Sequence, residues 1–143
     1  MVPSTEAHTI TAHNPHTEEY ATINLDKEDD LKKLDYIARD WRVKQQCRID
    51  RKTIGWLHQI LRNLRMDNAQ VEIVSGYRTL QTNNKVGGKK RSQHMVCKAL
   101  DIRVVGVSNY RVWEAAKRSQ VGGLGYYPKH GFIHIDSGRI RSW

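Results

Sequence analysis

"SQHMVCKALDIRVV", residues 92–105, decides how the rest of this 143-residue chain is read. Its second half, "ALDIRVV" at residues 99–105, is short and rich in β-branched residues, and reads as a strand. Its first half holds His94, seven positions before Asp101. A loop histidine is ordinarily a polar surface residue, and a strand aspartate is ordinarily a cap or a salt-bridge partner. The pair therefore gains meaning only from the rest of the chain.

Downstream, "FIHID" at residues 132–136 alternates. Residues two apart on a strand share a face, so Ile133 and Ile135 point to a core while Phe132, His134 and Asp136 point the other way. Upstream, "VEIVSG" at residues 71–76 reads as a strand ending in glycine. The closing stretch, residues 122–143, reads as two strands joined around residues 128–131. Before the strands come helices. Residues 26–41 open with acidic side chains and carry Leu31, Leu34, Ala38 and Trp41 at helical spacing. In residues 50–65, Asp50 is placed as N-cap and Ile54, Leu57, Leu61 and Leu64 form one stripe, with His58 beside it as a helix-surface residue. Residues 108–120 form a third helix behind a serine cap. Helices first and strands later predict an α+β fold, an antiparallel sheet packed under helices.

The length suits one domain with its own core. Residues 1–24 hold three of the seven histidines and two of the three prolines without apolar periodicity. They are expected to form an extended or poorly ordered arm, ahead of a domain at residues 25–143. No signal-peptide core or membrane-length apolar run is present. The 24 Lys+Arg against 15 Asp+Glu give a net charge of +9, which favours an anionic partner: nucleic acid, an acidic membrane or a wall polymer. No zinc-finger, RNP or basic-zipper pattern accompanies that charge, so a nucleic-acid partner is not expected. Cys47 and Cys97 are too few for a disulfide framework, and a bridge between them is not expected.

His94, Asp101 and His134 together make two histidines and a carboxylate, a common catalytic zinc set that leaves one position for water. Bound zinc lowers that water's pKa from 15.7 to about 7. By spacing alone the set is only a candidate. The blocks "SGYRT" (75–79), "SQHMVCKALDIR" (92–103), "GGLGYYP" (122–128) and "FIHIDSGRIRSW" (132–143) occur in that order. Together they resemble the M15-type zinc murein peptidases of bacterial cell walls, in particular the DUF882 branch of murein endopeptidases, from about residue 25 to residue 143.

That resemblance implies a hedgehog/DD-peptidase fold, Zn2+ held by His94, Asp101 and His134, and Arg78 holding the substrate carbonyl and its oxyanion. A guanidinium fork suits that last role. It implies hydrolysis of amide bonds in the cross-links or stems of peptidoglycan, in the periplasm or cell envelope. A leader already trimmed, or another export route, would then account for the lack of a signal segment. The chain is expected to act as a monomer.

The chain departs from the family's pattern at two points. Cys97 stands where relatives usually carry glycine, which implies a tight turn that strains a cysteine. Its thiol lies within sequence reach of a metal, but an inert small side chain is expected. Gly131 stands where many M15 relatives carry the glutamate that serves as base. Asp136 and His130 are the candidate replacements, with Asp136 preferred; its alternative role is an orienting hydrogen bond to a ligand histidine. The missing glutamate and the Cys97 departure support an alternative reading, a wall-binding module that does not hydrolyse; a D,D- or L,D-carboxypeptidase is the other, set second by the resemblance to the DUF882 branch.

Overall fold

The structure, a computed structural model, describes residues 8–143. Among the described residues, seven strands form one sheet: β1 (Thr9–Asn14), β2 (Glu19–Asn24), β3 (Ala69–Ser75), β4 (Ala99–Val104), β5 (Gly123–Tyr127), β6 (Phe132–Asp136) and β7 (Arg141–Ser142). Their order across the sheet is β2-β1-β3-β4-β6-β5-β7. The α+β expectation stands, but the sheet is mixed and not antiparallel throughout. β1 runs parallel to β3, and β7 runs parallel to β5. β1 and β3 lie far apart in sequence, and β5 reaches β7 only by way of β6, connections that local alternation does not reveal.

The expected N-terminal arm is corrected over residues 9–24, which form the β1–β2 hairpin inside the sheet. Ile10, Ala12 and Ile23 are fully buried in the common core. The apolar alternation is there, but it is carried by only two residues of β1 and is easily overlooked. The same expectation for residues 1–7 lies outside the described residues.

Four α-helices occur among the described residues: α1 (Glu28–Ile37), α2 (Arg51–Asn63), α3 (Leu80–Lys85) and α4 (Asn109–Arg118). The Asp50 side chain accepts from the Lys52 amide and Ser108 from the Arg111 amide, the two expected caps. α1 ends at Ile37, earlier than expected. Leu31, Leu34 and Ala38 are buried, while Trp41 lies beyond the helix, stacked on His16. On α2, Ile54, Leu57 and Leu61 are buried, and Trp56 buries its ring while donating to the Ala116 carbonyl at 3.2 Å. Each such side chain contributes about 1.5–3 kcal/mol by leaving water. None of these helices is long and apolar enough to cross a membrane.

A 3-10 turn at Gln93–Val96, capped by Ser92, precedes β4. It ends at Cys97, whose φ of 63° and ψ of 28° place it in the left-handed region. This is the tight turn that the resemblance implied, and a side chain there costs about 1–2 kcal/mol. Contrary to expectation, Cys97 is bonded to Cys47, with Cα atoms 6.4 Å apart. The sulfur is therefore unavailable to a metal. Sequence separation of 50 residues hid the pairing, because only the packing of the segment before α2 against the turn brings the two together. The Asp50 amide also donates to the Cys97 carbonyl, and the Thr53 hydroxyl to the Lys98 carbonyl.

A bridge closing a loop of this length contributes about 4 kcal/mol through the unfolded chain's entropy. Reduction, or Cys47→Ser, is expected to lower the melting temperature by roughly 10 °C. Calorimetry with and without reductant would test this, and an unchanged melting point would refute it.

Candidate metal centre

The register of three strands sets out the site. Asp101 on β4 lies directly opposite His134 on β6, and Ser75 at the end of β3 is Asp101's other neighbour. β3 is irregular between Ile73 and Ser75, which turns the chain toward the 3-10 turn carrying His94. The ligand atoms of His94, Asp101 and His134 all lie within 4.8 Å of one another, and all three residues are buried.

Each imidazole has one nitrogen committed to a fixed acceptor. His94 Nδ1 lies 2.7 Å from the Gly76 carbonyl, leaving Nε2 to face Asp101 Oδ2 at 3.2 Å. His134 Nε2 lies 2.6 Å from Asp136 Oδ2, leaving Nδ1 to face Asp101 Oδ1 at 2.9 Å. Histidines that bind metals are held this way, with the distal nitrogen on a carbonyl or carboxylate. The donor set of two imidazoles and a carboxylate suits zinc. The residues fit the ion.

Burial alone would raise the Asp101 pKa, but the flanking imidazoles of His94 and then His134 outweigh it and hold the carboxyl well below its usual range. Asp101 is thus a ready anionic ligand.

The "SGYR" segment is threaded between α1 and the 3-10 turn. A Cβ on Gly76 would stand 2.3 Å from the Ala38 carbonyl oxygen, so only glycine passes there. The Tyr77 amide donates to the Ala38 carbonyl, the Arg78 amide to the His94 carbonyl, and the Thr79 amide to Asp40. Arg78 is thereby aimed at the centre. Its Nε donates to Ser75 Oγ at 3.1 Å, its Nη1 to Asn83 Oδ1 at 3.3 Å, and its Nη2 stands 3.6 Å from Asp101 Oδ2.

A cleft of about 330 Å³ opens over the centre, with His94, Asp101, His134 and Arg78 in its lining. Lys89, Arg91 and Arg141 add positive charge, and Asp101 is the sole acidic side chain of the lining among the described residues. A second groove, lined by His16, Trp41 and Arg42, continues from it past Arg78.

Neither expected base lines this cleft. Asp136 is wholly buried. Its Oδ1 accepts from the Gly123 and Gly138 amides, and its two oxygens receive the Arg141 fork at 3.0 and 2.9 Å. A carboxylate offers about four lone-pair positions, and these partners with His134 use them. Burial raises the Asp136 pKa, yet hydrogen bonds with His134 and Arg141 outweigh this and leave it well below the carboxylate range. A base needs a value nearer neutrality. The geometry matches the orienting role. His130 is exposed in the β5–β6 turn, its ring 6.1 Å from Phe132.

Three residues within the quoted blocks acquire a place only here. Trp143 packs 5.1 Å from the His134 ring, over Gly125, where a Cβ would lie 2.7 Å from the indole. The Tyr127 hydroxyl accepts Trp143 Nε1–H at 2.7 Å at the cleft wall. Arg141 holds Asp136. The presence of an aromatic and an arginine beside the last histidine was visible in sequence, but their contacts were not.

The family described as Peptidoglycan L,D-endopeptidase MepK matches residues 2–143, so the match takes in the N-terminal hairpin as well. The probable peptidoglycan L,D-endopeptidase MepK of Haemophilus influenzae is 40% identical over 118 residues, covering 79% of this chain and 63% of that protein. The peptidoglycan L,D-endopeptidase MepK of Escherichia coli K12 is 34% identical over 121 residues, covering 81% of this chain and 66% of that protein. The chain spans just under two thirds of the length of these curated relatives.

If Asp136 orients His134, Asp136→Asn is expected to weaken zinc binding about 10- to 100-fold, while His130→Ala leaves it unchanged. Competition with a chromophoric chelator measures both, with circular dichroism confirming the fold. Wild-type affinity in a folded Asp136→Asn variant would refute the orienting role.

Proposed function

The chain belongs to the family of the peptidoglycan L,D-endopeptidase MepK, an M15 peptidase family, and from that membership we propose that it is a zinc-dependent murein endopeptidase cutting L,D cross-links between peptidoglycan stems. The convergence of His94, Asp101 and His134, each histidine with its second nitrogen already occupied, is the observation that carries this reading. The L,D preference follows the names of the relatives. The fold is read as hedgehog/DD-peptidase-like.

When bound, zinc supplies a Lewis acid for the scissile carbonyl and water made acidic near neutral pH. The chain's own residues do the rest. Arg78, held on both sides by backbone hydrogen bonds, presents a permanently charged guanidinium to the oxygen that gains negative charge. Asp136 and Arg141 hold the His134 ring in place. Tyr127, whose oxygen accepts from Trp143, keeps its own proton to donate at the cleft wall. The positive lining attracts the carboxylates of the stem peptides. The disulfide fits an oxidising compartment, in line with a role in the periplasm or envelope.

A second reading, a wall-binding module without hydrolysis, is favoured by one observation: among the described residues, the cleft lining offers no acidic side chain besides Asp101. Digestion of purified peptidoglycan, with products identified by mass, separates the two. The hydrolase reading expects split L,D-cross-linked dimers, lost with chelator and in His94→Ala. Release of terminal amino acids alone would indicate a carboxypeptidase, and sedimentation with peptidoglycan without products would indicate the binding module.

Arg78→Lys keeps the charge but loses the planar fork, so turnover is expected to fall about 10²- to 10³-fold with zinc retained. Tyr127→Phe is expected to fall less, about tenfold, the scale of one lost hydrogen bond. Near-normal turnover in Arg78→Ala would remove Arg78 from the mechanism.

A further inference from the structure

We propose that His8, Asp26 and His58 form a second, structural site for a divalent cation, separate from the centre in the cleft. Their ligand atoms all lie within 4.8 Å of one another, the same limit that contains His94, Asp101 and His134. His8 Nδ1 contacts Asp26 Oδ2, and the His8 and His58 rings meet edge to face at 5.9 Å between centroids. One carboxylate and two imidazoles give a site of net charge −1 with the donor types that zinc takes.

The three residues come from three elements. His8 precedes β1, Asp26 follows β2, and His58 lies on α2 beside the apolar stripe. His58 is buried, not on the helix surface as its position beside the stripe had implied. A helix histidine at that depth, facing a second histidine and a carboxylate from the hairpin ends, is arranged like a ligand. The site is remote from the cleft. Ile10 pairs with Ala69 at one end of β3, and Asp101 pairs with Ser75 at the other, so roughly 20 Å of strand lies between them.

A cation there would clamp both ends of the β1–β2 hairpin to α2. Such a clamp makes the hairpin's docking metal-dependent, as in small domains whose ligands come together only on folding.

The test is metal content and thermal stability after dialysis into buffered zinc. Wild type is expected to bind two zinc ions per chain, His94→Ala one, Asp26→Asn one, and the Asp26→Asn/His94→Ala double variant none. In the His94→Ala background, zinc is expected to raise the melting temperature, and Asp26→Asn to abolish that rise. Asp26 is exposed and the change is isosteric, so it preserves the fold where loss of buried His58 does not; His8→Gln is a second such variant. If His94→Ala binds no zinc, or the double variant binds as much as His94→Ala, the second site is overturned. The cleft's zinc is read separately in Asp26→Asn, whose one remaining ion should vanish when His94 is also replaced.

Discussion

Everything at the candidate centre depends on the commitment of one nitrogen of each ligand histidine to a fixed acceptor. The Gly76 carbonyl takes His94 Nδ1 and the Asp136 carboxylate takes His134 Nε2. A free imidazole can turn its ring and exchange its tautomer. Once one nitrogen is held, the other must face Asp101, and three ligand atoms converge without the ring entropy being lost on metal binding. The acceptors are themselves held. Gly76 is wedged against Ala38, and Asp136 is gripped by Arg141 and two glycine amides.

The segment linking the first two ligands is short, and its geometry is demanding. Between His94 and Asp101 the chain completes a 3-10 turn, enters the left-handed region at Cys97 and starts β4. Glycine would adopt that conformation at little cost. Here a cysteine stands in its place and is tied to Cys47, with the Asp50 and Thr53 hydrogen bonds alongside. The strain of one residue is offset by a covalent link to the segment that precedes α2.

Charge is distributed to the same end. The excess of basic residues is spread along the sequence, but the fold gathers Arg78, Lys89, Arg91 and Arg141 around the cleft. Lys89 and Arg141 lie over the Trp143 ring, 4.5 and 5.0 Å from its centroid, so that an aromatic wall and a positive rim line the cleft together. Such a surface suits a peptide with free carboxylates better than a neutral one.

By itself the sequence determined the helix caps at Asp50 and Ser108 and the inward isoleucines of "FIHID", and it named the candidate trio of His94, Asp101 and His134 that the fold brings together, because each rests on local periodicity or on residue type within an ordered block. The place of Arg78 beside that trio was legible for the same reason. Tertiary structure alone decided the parallel placement of β1 beside β3, the Cys47–Cys97 bond and the burial of His58 beside His8. Each joins segments distant along the chain, and distance in sequence carries no information about approach in space. It also decided the surroundings of Asp136. Alternation correctly put that side chain beside His134, but whether it faced water or the Arg141 guanidinium depended on where β7 returned to the sheet.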